Sequence, residues 1–299
     1  MTAPTVVTLL PSATETAYAL GVEPAAVSHE CTYPPAAADR PRATACRVDP
    51  NADSETINAQ LDADDPIYEV HEDVLERVDP DLVVTQGVCD VCAVDSAFVA
   101  DAVAALDLDC ELLTTDSHSL DGVLDDVERI GTALGRERKA ADLVADLDAR
   151  VERVRDATRD LDERRCLVLD WMTPPMVAGH WVPELVDLAG GEYGITDAGA
   201  YSGPEDFQDI VDFDPETLVV APCGYSPAHT RRDLDELRER DGWDDITAVQ
   251  EDDVHVMDGD VLNCPSPRLV DALEDLAGIL HPDALDDEGR SRRTPAASR

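Results

Sequence analysis

The chain has 299 residues, 66 of them acidic and 23 basic, for a formal charge of −43. That balance excludes DNA and other nucleic acids, and anionic membrane surfaces, because both are bound by clustered Lys and Arg. It does not describe a disordered acidic chain either, since apolar residues make up 43% and recur with strand and helix periods.

The acids are spread along the sequence, which predicts a halophilic setting: at molar salt the Debye length falls to about 3 Å and the self-repulsion is screened. No run approaches the roughly 20 apolar residues of a membrane span, so no membrane insertion is expected. Met1-Thr2-Ala3-Pro4 runs straight into a strand pattern, with no signal peptide, twin-arginine signal or lipobox in view. The expected location is cytoplasmic, or extracytoplasmic if translation starts upstream, and the eight cysteines are expected as thiols.

Thr5 to Leu10 reads as a strand, and Ser12 and Glu15 have the spacing of a capping box for a helix through Leu20, stopped by Gly21. A second strand is expected to end at Ser28 to Cys31, and Tyr33-Pro34-Pro35 to break into a loop reaching about Asp65. A helix around Asp73 to Arg77, a strand Leu82 to Thr85, a helix opened by Cys89 to Cys92 and running through Leu106, and a strand Glu111 to Thr114 complete a first α/β lobe. Leu120, Val123, Leu124, Val127, Ile130 and Leu134 form one helical face closed by Gly135. A longer apolar stripe from Leu143 through Leu161 predicts a rod of roughly 35 Å that bridges two lobes.

The second half repeats the theme. Strands are expected at Cys166 to Leu169, Met176 to Ala178, Leu218 to Ala221 and Val254 to Met257. Helices are expected at Pro183 to Ala189, Arg232 to Glu239, and from a Ser266 cap and Pro267 to Leu280. The expected organisation is an N-terminal α/β lobe over 1–118, linking helices over 119–164, a C-terminal α/β lobe over 165–282 and a disordered tail over 283–299.

In open parallel sheets ligands collect at the carboxyl ends of strands. Four such ends carry chemistry here: Ser28-His29-Glu30-Cys31, Thr85-Gln86-Gly87-Val88-Cys89-Asp90-Val91-Cys92, Leu169-Asp170-Trp171 and Val220-Ala221-Pro222-Cys223. Two lie in each half, the layout of a site built between two lobes. Cys89 and Cys92 have the spacing of half a metal site, with Cys31, Cys223, Cys264 and His29 or His180 as further donors for zinc or an iron–sulfur cluster. Two other readings of the pair stand beside that one: small packed residues at a helix start, or a redox dithiol. Cys46, Cys110 and Cys166 read as structural. No dinucleotide or phosphate-loop fingerprint and no Gly-x-Ser-x-Gly elbow appears.

The order Leu9-Leu10-Pro11-Ser12-Ala13-Thr14-Glu15, Ser28-His29-Glu30-Cys31-Thr32-Tyr33-Pro34-Pro35, Pro80-Asp81-Leu82-Val83-Val84-Thr85-Gln86, Gly179-His180-Trp181-Val182-Pro183-Glu184 and Pro265-Ser266-Pro267-Arg268 resembles the periplasmic-binding-protein family for cobalamin and iron chelates, from about Thr5 to Pro282. The resemblance implies two Rossmann-like lobes joined by one long backbone helix, a ligand cleft between the lobes, and little hinge closure. It also implies a non-enzymatic role, binding cobalamin, another corrinoid or a related metal chelate for an ABC transporter permease. Glu72 or Asp73 and Glu205 or Asp206 fall near the family's docking acids. A corrinoid is a broad apolar ring edged by amides, so aromatic faces and amide partners are the groups to seek. Tyr33, Gln86, Trp171, His180, Trp181 and Tyr225 are the ligand-binding candidates, and His180 is also a candidate base or axial ligand. The alternative function is a cytosolic metalloprotein in redox or metal handling, with Cys31, Cys89, Cys92 and Cys223 as ligands of zinc or an iron–sulfur cluster.

Overall fold

The computed structural model describes residues 4–49, 52, 54–61, 67–88, 94 and 96–285. By packing, the chain divides into two units: Met1–Ser117 with Asp121–Ala145 and Pro265–Pro267, and His118–Leu120 with Asp146–Cys264 and Arg268–Arg299.

The first unit contains strands β1 (Val6–Thr8), β2 (Ala26–Val27), β3 (Thr44–Cys46), β4 (Tyr68–Val70), β5 (Leu82–Gln86) and β6 (Glu111–Thr115). Its helices are α1 (Pro11–Ala19), α2 (Ser54–Leu61), α3 (Glu72–Val78), α4 (Ser96–Ala105) and most of α5 (Leu120–Ala133). The main sheet is parallel in the order β2-β1-β5-β6, and β3 and β4 form a separate antiparallel pair. Successive strand residues point to opposite faces. Val6, Leu82 and Val84 therefore pack with Ala17 of α1 and Val127, Ile130 and Leu134 around α5, while Val7 and Val83 face Leu75 of α3 and Val99 and Val103 of α4. A sheet covered on both faces needs such continuously apolar strands.

The division falls within α6 (Glu137–Thr158), whose 22 residues make a rod of roughly 33 Å. The 119–164 stretch is thus shared between the units, with the early turns of α6 in the first and the later turns in the second.

The second unit contains β7 (Arg164–Met172), β8 (Pro175–Val177), β9 (Gly191–Glu192), β10 (Gly203–Pro204), β11 (Thr217–Val220) and β12 (Val254–Val256). Its sheet runs β10-β8-β7-β11-β12, parallel across β7, β11 and β12, antiparallel at β8 and β10, with β9 beside the start of β7. Helices α7 (Val182–Leu188), α8 (Phe207–Phe213), α9 (Pro227–Asp233), α10 (Asp235–Arg238), α11 (Thr247–Gln250), α12 (Gly259–Leu262) and α13 (Leu269–Leu280) complete it.

The fold differs from the sequence expectation in several places, among them the start of α4, at Ser96 and not at Cys89 to Cys92. Ser12 is not the cap of α1; Leu10 holds that position, and Glu15 accepts a hydrogen bond from Ser266 Oγ at 2.6 Å instead. Ser266 is likewise not the cap of α13, which begins three residues later behind Arg268. The expected loop after Tyr33 holds β3 and α2, and β2 ends at Val27, so Ser28 to Cys31 follow the strand. The single helix expected over Arg232 to Glu239 is two short helices meeting at Leu234.

Candidate functional site

In the first unit the carboxyl ends of β1 and β2 are tied by polar side chains. Thr8 and Thr14 hydroxyls lie 2.6 Å apart, and Thr14 Oγ1 donates towards Cys31 Sγ at 3.0 Å. Arg42 Nη1 donates to the carbonyls of Ser28 (2.8 Å) and Cys31 (3.0 Å), which fixes the turn after β2. Thr44 Oγ1 accepts from the backbone N–H of His29 at 3.2 Å and lies 2.9 Å from its Nδ1. Burial, then the charges of Arg42 and His71, push His29 down to about 4, so this imidazole is neutral at physiological pH. Its Nε2 is buried with no hydrogen-bond partner among the described residues, and Glu30 Oε1 lies 3.7 Å away.

Cys31, to whose Sγ Thr14 donates, is 0% exposed, and burial pushes its thiol up to about 11 in the absence of a metal ion. Cys223 belongs to the second unit and is half-buried. Cys89 and Cys92 lie outside the described residues. Among the described residues no group of three His, Cys, Asp or Glu side chains is placed to hold a metal ion. Cys166 is buried and pushed up to about 12 by that burial.

The second unit gathers two aromatic clusters at the ends of β7, β8 and β11. In the first, the half-buried Trp171 meets Tyr225 edge-on at 5.3 Å, and Tyr225 stacks on His229 at 3.6 Å between centroids. Asp233 Oδ2 stands 3.1 Å from His229 Nε2, one helical turn along. Trp171 Nε1 donates to Thr173 O, which holds the indole over its own hairpin.

The second cluster joins His118, His180 and Tyr201. The two Nδ1 atoms lie 2.9 Å apart, so in a neutral pair one ring donates and the other accepts. Tyr201, 66% exposed, stands edge-on to both imidazoles at 5.2 Å. His180 takes a left-handed conformation, φ 52°, held because its N–H donates to Ala200 O (2.5 Å) and its carbonyl accepts from Gly199 N–H (2.8 Å). Gly179 permits this approach, since a Cβ there would collide with the Ala200 carbonyl oxygen.

Asp170 lies in β7, next to Trp171. Burial pushes its carboxyl up to about 6; Ser202 hydrogen-bonds it and also accepts from Gly179 N–H at 2.9 Å. Its Oδ1 is buried with no hydrogen-bond partner among the described residues.

Of the six ligand-binding candidates, Tyr33 is exposed in the first unit and Gln86 is buried as the last residue of β5. Trp171, His180, Trp181 and Tyr225 all belong to the second unit. Trp181 is buried and donates from Nε1 to Leu262 O at 2.9 Å, and Tyr225 is 2% exposed. The Trp181 ring lies 5.6 Å from that of His180, and the Tyr225 ring 5.3 Å from that of Trp171. His118, Tyr201 and His229 were not singled out by sequence; each is one aromatic or imidazole residue in a polar stretch, and only the packing joins them.

Comparison with known proteins adds a lineage to this geometry. The family described as periplasmic binding protein matches residues 6–261. An uncharacterised ABC transporter substrate-binding lipoprotein of Bacillus subtilis is 25% identical over 194 residues, covering 62% of this chain and 59% of that protein's length. The vitamin B12-binding protein of Vibrio cholerae is 24% identical over 281 residues, covering 92% of this chain and 88% of that protein. Among solved structures, a periplasmic haem-binding protein from Roseiflexus sp. RS-1 superimposes with a TM-score of 0.72 at 21% identity, over 95% of this chain and 100% of that one. The periplasmic vitamin B12-binding protein structure from Vibrio cholerae gives 0.69 at 20%, over 93% and 96%. At such identities the structural likeness shows the fold.

Proposed function

We propose, for a chain that belongs to the periplasmic binding protein family, that it binds cobalamin, another corrinoid or a related metal chelate and delivers it to an ABC transporter permease, without catalytic turnover. The observation that carries this reading is the pair of ring clusters in the second unit, Trp171-Tyr225-His229 and His118-His180-Tyr201. A tetrapyrrole-like ligand buries most of its surface against aromatic faces, and a few polar groups fix its orientation. Trp171 and Tyr201 supply partly exposed rings, and His180 supplies an imidazole beside Tyr201. Relatives named for vitamin B12 and for haem support a macrocyclic chelate as the ligand class.

The test is calorimetric titration of the full chain in molar KCl with cobalamin, cobinamide and haem. One site per chain for at least one of them is expected, weakened at least tenfold by Trp171→Ala. Absence of saturable binding to all three overturns the proposal.

A further inference from the structure

Trp171, half-buried near the end of β7, owes its pose to the bulge before it and the turn after it. In the pairing of β7 with β8, Leu169 meets Val177 and Trp171 meets Met176, so Asp170 is an extra residue, a bulge of the kind that re-aims the neighbouring side chain. Beyond Met172 and Thr173 come Pro174 and Pro175, which bring no backbone N–H. Two carbonyls of this turn take side-chain donors instead. Thr173 O accepts the indole N–H of Trp171 at 3.0 Å, and Met172 O accepts from Arg240 Nη2 at 2.9 Å. The same nitrogen donates to the Thr173 hydroxyl oxygen at 3.2 Å.

Arg240 lies 68 positions further along the chain from Met172 and is itself anchored. Its guanidinium sits over the Phe207 ring, 5.6 Å from the centroid, and Phe207 stacks on Trp243 at 6.5 Å with 19° between the ring planes; both rings are buried. Its Nε is buried with no hydrogen-bond partner among the described residues, so the hydrogen bonds its side chain makes there run through Nη2, and they go to the turn. One guanidinium nitrogen carries two N–H groups in a fixed plane, which lets it serve both acceptors. On its open edge Trp171 meets Tyr225.

We infer that Arg240 is a positioning residue for the ligand site: by pinning the Met172–Thr173 turn it holds the carbonyl that orients Trp171, and so presents the indole preformed to a planar ligand. A preformed ring spares the ligand the cost of ordering it. The effect on affinity rests on the chelate-binding reading, whereas the placement of the indole does not.

Fluorotryptophan incorporated into the full chain gives one fluorine resonance for each of its three tryptophans, assigned by single Trp→Phe variants. In ligand-free protein in molar KCl, Arg240→Met is expected to shift or broaden the Trp171 resonance and to leave that of Trp181 in place. Arg240→Lys, which keeps a charged donor, is expected to bring Trp171 part of the way back. Titration with cobalamin, cobinamide and haem is expected to show affinity about tenfold lower for Arg240→Met than for the parent, with partial recovery in Arg240→Lys. A Trp171 resonance unchanged in Arg240→Met overturns the inference, and so does a changed resonance with unchanged affinity. No recovery of either readout in Arg240→Lys assigns the effect to packing on Phe207 and overturns it too. A parent that binds none of the three ligands overturns the chelate-binding reading alone, and the ligand-free resonance still decides the positioning. Should Arg240→Met fail to fold, Arg240→Gln, whose amide ends two bonds short of the guanidinium tip, is read in the same way.

Discussion

Arg150 on α6 grips Glu274 on α13 with two parallel donors, Nε to Oε1 at 2.9 Å and Nη2 to Oε2 at 2.7 Å, and Nη2 also reaches Asp271 Oδ1 at 2.5 Å. The arginine side chain is nearly buried, so this fork is the polar seam by which the later turns of α6 are fastened to α13 within the second unit. Arg150→Ala leaves Glu274 buried without its cation and is expected to cost about 3 kcal/mol. Asp271→Ala removes a partly exposed carboxylate and is expected to cost less, about 1 kcal/mol. Chemical denaturation in molar salt measures both.

Asp170 gives the second unit an unusual pH response. Its folded value of about 6 lies above the ordinary 3.8, so the native state holds a proton that the unfolded chain has released between those values. Its contribution is complete below about pH 4 and is lost as pH rises through 6. Asp170→Asn is expected to gain stability over the parent across that window, reaching on the order of 2–3 kcal/mol at neutral pH. A constant difference between the two proteins from pH 4 to 7 refutes the assignment.

His29 works in the opposite sense. Its folded value of about 4 lies below the ordinary 6.5, so the unfolded chain takes up a proton that the native state refuses. The stability it gives is full above about pH 6.5 and disappears as pH falls through 4. His29→Gln is expected to flatten this acid loss, by at most about 3 kcal/mol, as read from melts between pH 7 and 4.

Gly179→Ala is expected to push the Ala200–Ser202 backbone away, because the new methyl would collide with Ala200 O and fall 2.6 Å from Ser202 N. The His180 N–H bond to Ala200 O would break with it. The measurable outcome is a lower melting temperature together with a changed His180 ring resonance. An unchanged His180 resonance would show that the loop does not position the imidazole.

Salt sets the remaining expectation. With a formal charge of −43, cooperative melting is expected in molar KCl and its loss near 0.1 M, where charges separated by up to about 10 Å still interact. Equal melting temperatures in both conditions would contradict it.

The parallel strands were legible because burial on both faces leaves near-continuous apolar runs, Leu82-Val83-Val84 and Leu218-Val219-Val220 among them. The β3–β4 pair was not: three residues each, separated by 21 positions, carry too little alternation to reveal a long-range pairing. Ser12 and Ser266 misled for a shared reason. Each has the local spelling of a helix cap, but both are buried, and Ser266 bonds to Glu15 across 251 positions of sequence. His118 and Tyr201 lie 83 positions apart in polar surroundings, so no period joins them. Trp171 and His180 stand out in the sequence because they follow apolar strand runs, while the burial of Trp181 and Tyr225 depends on neighbours no local pattern names.

The return of Pro265–Pro267 to the first unit sets the order in which that unit is finished. Glu15 is among the first residues to leave the ribosome, yet the Ser266 hydroxyl it accepts from is made only after the segment Asp146–Cys264 of the second unit. A nascent chain halted at Ala145 therefore carries the four-stranded sheet with this buried carboxylate still lacking that donor. The unit whose synthesis begins first is finished only at Pro267, just ahead of α13.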